Sequence, residues 1–355
     1  MSLPLTASAG LAVLVFLAAL GIALVVTPLA GRTGQRLGIV DVPGGRRTHA
    51  GTIARIGGVG LCVGFFLTAL FLFAAGVFKP EHREPLAGVL LGTAFVFVVG
   101  LIDDRYTLKA WPQLLTQIAA GVIAVATTVF IGKVTIPGIA EPQTIPAWIA
   151  YPITIAWVIG MMNTVNFLDG LDGLAAGVGA IAAVLFAYHS YTLQQHEIAL
   201  YALALAAACL GFLVFNFNPA RVFLGSAGAM VLGYALATLS ILAPARVATA
   251  LLVMAIPIVD TGYQAFDRWR RGQSPAQGDR GHLHYRLMDI GLSQRQIVLG
   301  YWGFCAVFGA LALIISAPVY KLIAIGVLGL MVVGVLVLLS RRQSRRKTDA
   351  ETRGT

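Results

Sequence analysis

Apolar runs of roughly 20 residues, each long enough to cross a bilayer, recur about eleven times along the 355-residue chain. They lie near 8–30, 56–78, 86–102, 112–132, 147–163, 173–191, 196–215, 227–244, 247–266, 296–317 and 319–340. A backbone in hydrocarbon must satisfy its own N–H and C=O groups, which helices and closed barrels alone achieve. Alternating ten-residue strands are absent, so the expected fold is all-α: a polytopic integral membrane protein with about eleven transmembrane helices. A hydrophobic fraction of 58% and a mean hydropathy of +0.84 exclude an ordinary soluble domain. The first run has no basic residue before it and no A-x-A cleavage pattern, so it is expected to be retained. Cys62, Cys209 and Cys305 sit inside apolar runs without metal-ligand spacing and are read as packing residues.

The net charge of +10 matters through its distribution. With the N-terminus outside, 20 of the 25 Lys and Arg residues fall in loops on one side, which the positive-inside rule makes cytoplasmic, together with the C-terminus. All ten aspartates fall on or near that same side, whereas Glu81, Glu84, Glu141 and Glu197 fall outside. Solvated loops would not sort Asp from Glu, so chemistry is expected at the cytoplasmic face. The organisation read from this is one transmembrane domain over 1–340, with cytoplasmic loops 31–55, 103–111, 163–173, 216–226 and 267–295, and a basic tail over 341–355 suited to anionic lipid headgroups. The basic loops lack interleaved aromatic platforms apart from Trp269, which argues against a nucleic-acid partner.

Within those loops the segment from Asn163 to Gly173, NTVNFLDGLDG, carries Asn163, Asn166, Asp169 and Asp172. A solvated turn would need one Asp-Gly, and here there are two; carboxylates at a membrane rim serve water, a metal or a cation. The spacing of three would place each pair on one helix face. Asp103 and Asp104 end another apolar run, which brings the carboxylates on this side to four and suggests an oxygen-rich magnesium site. The first loop offers Arg46, Arg47, His49 and Arg55 to phosphate, ahead of Gly57-Gly58. The longest loop offers Arg268, Arg270, Arg271, Arg280 and Arg286, with His282 and His284 beside Asp279; lacking a third His or a Cys, the His pair suits diphosphate oxygens better than zinc.

Together these loops resemble the polyprenyl-phosphate N-acetylhexosamine-1-phosphate transferases of glycosyltransferase family 4. The matching pieces are Asp41 to Gly58, Asp103-Asp104, Asn163 to Gly173, Asn216 with Pro219-Ala220, Pro257 with Asp260, and Arg268 through His284. HLHY in the last loop is more similar to the N-acetylhexosamine branch than to the peptidoglycan branch. The resemblance implies a magnesium- or manganese-dependent enzyme of the bacterial inner membrane, working at the cytoplasmic face and compatible with a homodimer. Undecaprenyl phosphate would attack a UDP-sugar, UMP would leave, and the lipid-linked sugar would start an O-antigen, common antigen or similar glycan. Asp103, Asp104, Asp169 and Asp172 would be catalytic, with Asp169 and Asp172 on the metal. Substrate binding would fall to Arg46, His49, Arg55, Asn163, Asn166, Asn216, Arg268, Asp279, Arg280, His282 and His284. One departure stands out: Gly225-Ser226-Ala227-Gly228 replaces the family's Gly-Asp-x-Gly, leaving Ser226 as a weak ligand where a metal-binding aspartate is usual. A silent binder of UDP-sugar or polyprenyl phosphate therefore stays open, as does a transporter of a lipid-linked sugar, although a transporter would place polar groups at the midplane rather than at one rim.

Overall fold

The computed structural model describes residues 5–41, 51–136, 139, 141–242, 246–273, 281–315 and 317–353, with side chains left out at 5–8, 246 and 341–353. Thirteen helices follow one another among the described residues: α1 Leu5–Arg36, α2 Val59–Ala74, α3 Arg83–Tyr106, α4 Ala110–Ala126, α5 Ala147–Leu168, α6 Leu174–Thr192, α7 His196–Asn216, α8 Gly225–Ile241, α9 Arg246–Val253, α10 Ala255–Arg270, α11 Leu283–Asp289, α12 Gln294–Ile314 and α13 Pro318–Arg353. Every one of the eleven apolar runs is helical. Seven of these helices are long and apolar enough to span a membrane; α2, α4 and α8, at 16, 17 and 17 residues, are shorter.

The run at 247–266 is not one straight span. It breaks between α9 and α10 with a bend of 80°. Pro257 has no N–H to return to the carbonyl of residue 253, and its ring crowds that carbonyl, so the break at Met254 follows from local chemistry. The basic tail also departs from a separate segment, because α13 continues through it to Arg353.

The core is built around α8, in which every residue from Ala227 to Ser240 is buried. Its small side chains let α3 and α5 approach closely: a methyl group at Gly100 would collide with the Ala227 backbone, and one at Gly233 with Met162 of α5. These contacts bring the C-terminal ends of α3 and α5 to the N-terminus of α8. Two short strands complete that end. Val40–Asp41 (β1) pairs antiparallel with Ile53–Ala54 (β2), and Ala54 bridges in parallel to Val222, so the first loop is tied to the segment that leads into α8.

Candidate active site

Four loops far apart in sequence meet at this end. Both oxygens of Asp104 are occupied by the first amides of α8: Ser226 N donates to Oδ1 at 2.7 Å and Ala227 N to Oδ2 at 3.1 Å. Gly225, at φ +71°, makes the turn that aims these amides, and a side chain there would strike the Arg55 carbonyl. Asp103 closes the turn into α4, accepting from Leu108 N at 2.7 Å and from the Gln113 side chain at 3.0 and 3.2 Å. Both aspartates are buried.

Asp169 and Asp172 do not lie on a helix face as their spacing suggested. The helix ends at Leu168, and Gly170 and Gly173, the latter at φ +79°, turn the chain into α6. Asp172 Oδ2 accepts from Asn218 Nδ2 and Ala220 N, each at 3.0 Å. Asn218 is held in turn by Gln294 and by Arg295, which donates twice to its carbonyl. The charges of Asp104 and Asp172 act on Asp169. Burial first, and then those like charges, push its carboxyl well above the usual carboxylate range, against the pull of Arg55.

Asn216, expected at the substrate, lies between two loops. It is buried and spends both ends of its amide on the backbone, accepting from Gly173 N at 3.0 Å and donating to the Val222 carbonyl at 2.9 Å. It ties the aspartate loop to the loop before α8. Ser226 contributes its backbone amide to Asp104, as above. Arg46, His49, Asp279 and Arg280 lie outside the described residues.

His282 is the N-cap of α11 and His284 lies in its first turn. Their rings stack at 5.8 Å and 7°, and His282 also stacks on Phe167 at 5.1 Å. Arg268 approaches His282 Nε2 at 3.5 Å and lies over the Phe167 ring. His284 is buried beside Gly170, and neither of its ring nitrogens has a hydrogen-bond partner among the described residues. Burial, with the His282 charge second, lowers its pKa to about 3, so it is a neutral ring at physiological pH.

Next to this cluster, α4, α5 and α10 enclose a mostly apolar groove of about 940 Å³. Its walls include Trp111, Leu114, Trp157, Met161 and Ile258, and its polar margin is made by Gln113, Gln117, Asn163 and Asn166. Gln117 and Asn163 exchange a reciprocal pair of amide hydrogen bonds at 3.2 and 2.8 Å. Phe167 belongs to both the groove and the His282 stack. Sequence reasoning missed the groove, and with it Gln113, Gln117 and Phe167. The two glutamines, four apart in an apolar run, carried the same signal that picked out the aspartates.

The groove's margin reaches Gln113, which bonds Asp103, and Phe167, which stacks on His282 beside Arg268. The chain belongs to glycosyl transferase family 4, whose description matches residues 86–244. It is 31% identical over 311 residues to the probable undecaprenyl-phosphate N-acetylglucosaminyl 1-phosphate transferase of Bacillus subtilis (strain 168), with 86% of this chain and 85% of that one covered. It is 32% identical over 343 residues to the decaprenyl-phosphate N-acetylglucosaminephosphotransferase of Mycolicibacterium smegmatis, covering 86% and 82%. A phospho-N-acetylmuramoyl-pentapeptide-transferase of Halalkalibacterium halodurans is 32% identical over 272 residues, covering 73% and 82%.

Proposed function

We propose that this protein transfers a sugar 1-phosphate, that of N-acetylglucosamine or a related N-acetylhexosamine, from its UDP-sugar to undecaprenyl phosphate, at the cytoplasmic face of a bacterial inner membrane. The observation that carries the reading is the apolar groove, whose polar margin abuts the Asp103 and His282 clusters. It suits a polyprenyl chain with its phosphate at the charged end. The N-acetylglucosamine branch is favoured over the pentapeptide branch because the Bacillus and Mycolicibacterium relatives named above align over 86% of this chain, against 73% for the pentapeptide transferase.

In this reading an oxygen of the lipid phosphate attacks the sugar-linked phosphorus of the donor, the bond to the UMP oxygen breaks, and UMP leaves. The obstacle is the accumulated negative charge, so the site supplies cations and positioning. Arg268 and His282 face the diphosphate, and Arg55 offsets the carboxylates. Asp103, held by the groove residue Gln113, orients the acceptor phosphate and takes up its remaining proton. Asp104 fixes α8 against α3.

Magnesium fits the donor chemistry within limits. Among the described residues no three His, Cys, Asp or Glu side chains converge in ligating geometry. Asp169, desolvated and crowded by like charge, and Asp172, with Oδ1 outside the hydrogen bonds made by Oδ2, offer two carboxylates. That number suits an ion that keeps water and takes phosphate oxygens for the rest of its shell. When bound, magnesium would neutralise charge on the diphosphate.

The test is UMP release by purified protein given undecaprenyl phosphate and UDP-N-acetylglucosamine, with and without magnesium, for the native chain and Asp172→Asn. Magnesium-dependent release, reduced by about 100-fold or more in the variant, is expected. Nucleotide binding without turnover of any UDP-N-acetylhexosamine would replace this reading with the silent binder that Ser226 suggests.

A further inference from the structure

The segment Gly281–Leu283 is held by three buried side chains with no part in the proposed chemistry. Asp260 of α10 uses both oxygens on it: Oδ2 lies 2.9 Å from His282 Nδ1, and Oδ1 accepts from Leu283 N at 3.1 Å. One turn further along α10, Gln264 donates to the Gly281 carbonyl, as does Arg286 Nε from the other side. Arg286 is anchored in turn on the Leu336 carbonyl of α13 at 3.1 Å. Asp260 is 4% exposed and His282 3%, so water does not compete for this bond.

An imidazole paired through Nδ1 with a carboxylate carries its proton on Nδ1, which leaves Nε2 as the atom that gains or loses a proton. Here Nε2 points toward Arg268, with the ring clamped between Phe167 and His284. We propose that Asp260 is a positioning residue, which fixes the tautomer and tilt of His282 so that Nε2 and Arg268 together meet the phosphate that departs as UMP. The proposal rests on the transferase reading. Negative charge on that phosphate grows as its bond to the sugar phosphate breaks, so the arrangement matters more in the transition state than in substrate binding.

Two measurements test it. The first is the ¹⁵N spectrum of histidine-labelled full-length protein in nanodiscs, with His282 assigned by its loss in His282→Gln. A pyrrole-type Nδ1 is expected in the native chain. In Asp260→Asn the amide can donate to Nδ1, and the pattern should invert to an Nε2-protonated ring. A bare Nδ1 in the native chain, or no change in the variant, would overturn the proposal, and this readout needs no turnover.

The second measurement is UMP release. Asp260→Asn should lower kcat by about 100-fold or more, as a wrong tautomer does elsewhere. KM for the UDP-sugar should stay within about threefold, and Asp260→Glu should recover part of the loss. Equal losses in Asn and Glu variants, or a change confined to KM, would leave Asp260 as scaffold alone. A native chain that releases no UMP but shows the Nδ1 tautomer would count against the transferase reading while keeping the Asp260–His282 geometry.

Discussion

Replacing Asp104 with alanine should loosen the first turn of α8, and Cys62 reports on that turn. Two amides, half-buried Ser226 N and buried Ala227 N, end on the two oxygens of this one carboxylate, at the positive end of a helix. A hydrogen bond to a charged group contributes about 1.5–3 kcal/mol, and orphaned amides at a loop junction recover part of that from water. A net cost of about 2–3 kcal/mol for opening the α8 start follows. Cys62, 1% exposed on α2, donates its thiol to the Ala227 carbonyl at 3.6 Å, so it stays inaccessible while that turn is closed. If labelling proceeds through local opening, the cost converts to a rate about 30 to 160 times faster. The assay is mass-resolved alkylation of Cys62 in detergent, with Cys209 and Cys305 changed to serine. Asp104→Asn should fall between, since one amide keeps an acceptor and the other meets an NH₂ group. Asp103→Ala should leave Cys62 protected, because its bonds close the α3–α4 turn instead. Acceleration of less than threefold in both Asp104 variants would refute the capping role.

Two further outcomes are expected. Gly160 lines the groove with nothing within 4 Å of where a side chain would begin, so Gly160→Phe should occupy the groove without disturbing the fold. KM for undecaprenyl phosphate should rise about 10-fold or more, with KM for the UDP-sugar little changed, in a two-substrate titration. The second concerns Asp169, whose carboxyl is held above its ordinary value of 3.8. The folded chain then keeps a proton that the unfolded chain has lost, so stability falls as pH rises from about 3.8 toward the raised pKa. Asp169→Asn should flatten that fall and make the ligand-free protein more heat-resistant at neutral pH, while abolishing UMP release; an unchanged pH dependence of melting would contradict it.

The helices were legible because hydrocarbon leaves the backbone no other partner, and apolar length alone marks them. The break in the ninth run was signalled by Pro257, but the run's largely apolar character led it to be read as one span. Asp169 and Asp172 stood out in the sequence as carboxylates at the end of an apolar run, but their geometry did not: the helical spacing was read through Gly170 and Gly173, where the helix ends between Leu168 and Leu174. The place of Asn216 was not legible for another reason. A polar residue at a loop end can serve a ligand or the backbone, and only the positions of Gly173 N and Val222 O decide. Beyond Gln113 and Gln117 the groove had no local signature, since residues near 110–117, 156–167 and 258–265 become neighbours only after α4, α5 and α10 come together.

Ser226 now has a physical meaning that the motif comparison lacked. Its amide supports Asp104 whatever side chain the position carries, so the substitution leaves the cap in place. What changes is charge, because an aspartate at 226 would add a carboxylate to a cluster in which Asp104 and Asp172 already act on Asp169. Without a cation, Ser226→Asp should therefore lower the melting temperature. If Asp169 and Asp172 hold magnesium as proposed, the same carboxylate would be a third ligand, so the variant should gain more stability from the ion than the native chain does, and reach half-maximal UMP release at lower magnesium. The two effects have opposite signs and one cause, which makes the magnesium-dependent change in melting temperature the decisive quantity. If native and Ser226→Asp proteins respond identically to magnesium, position 226 does not face the ion, and the pairing of Asp169 with Asp172 as its holders fails with it.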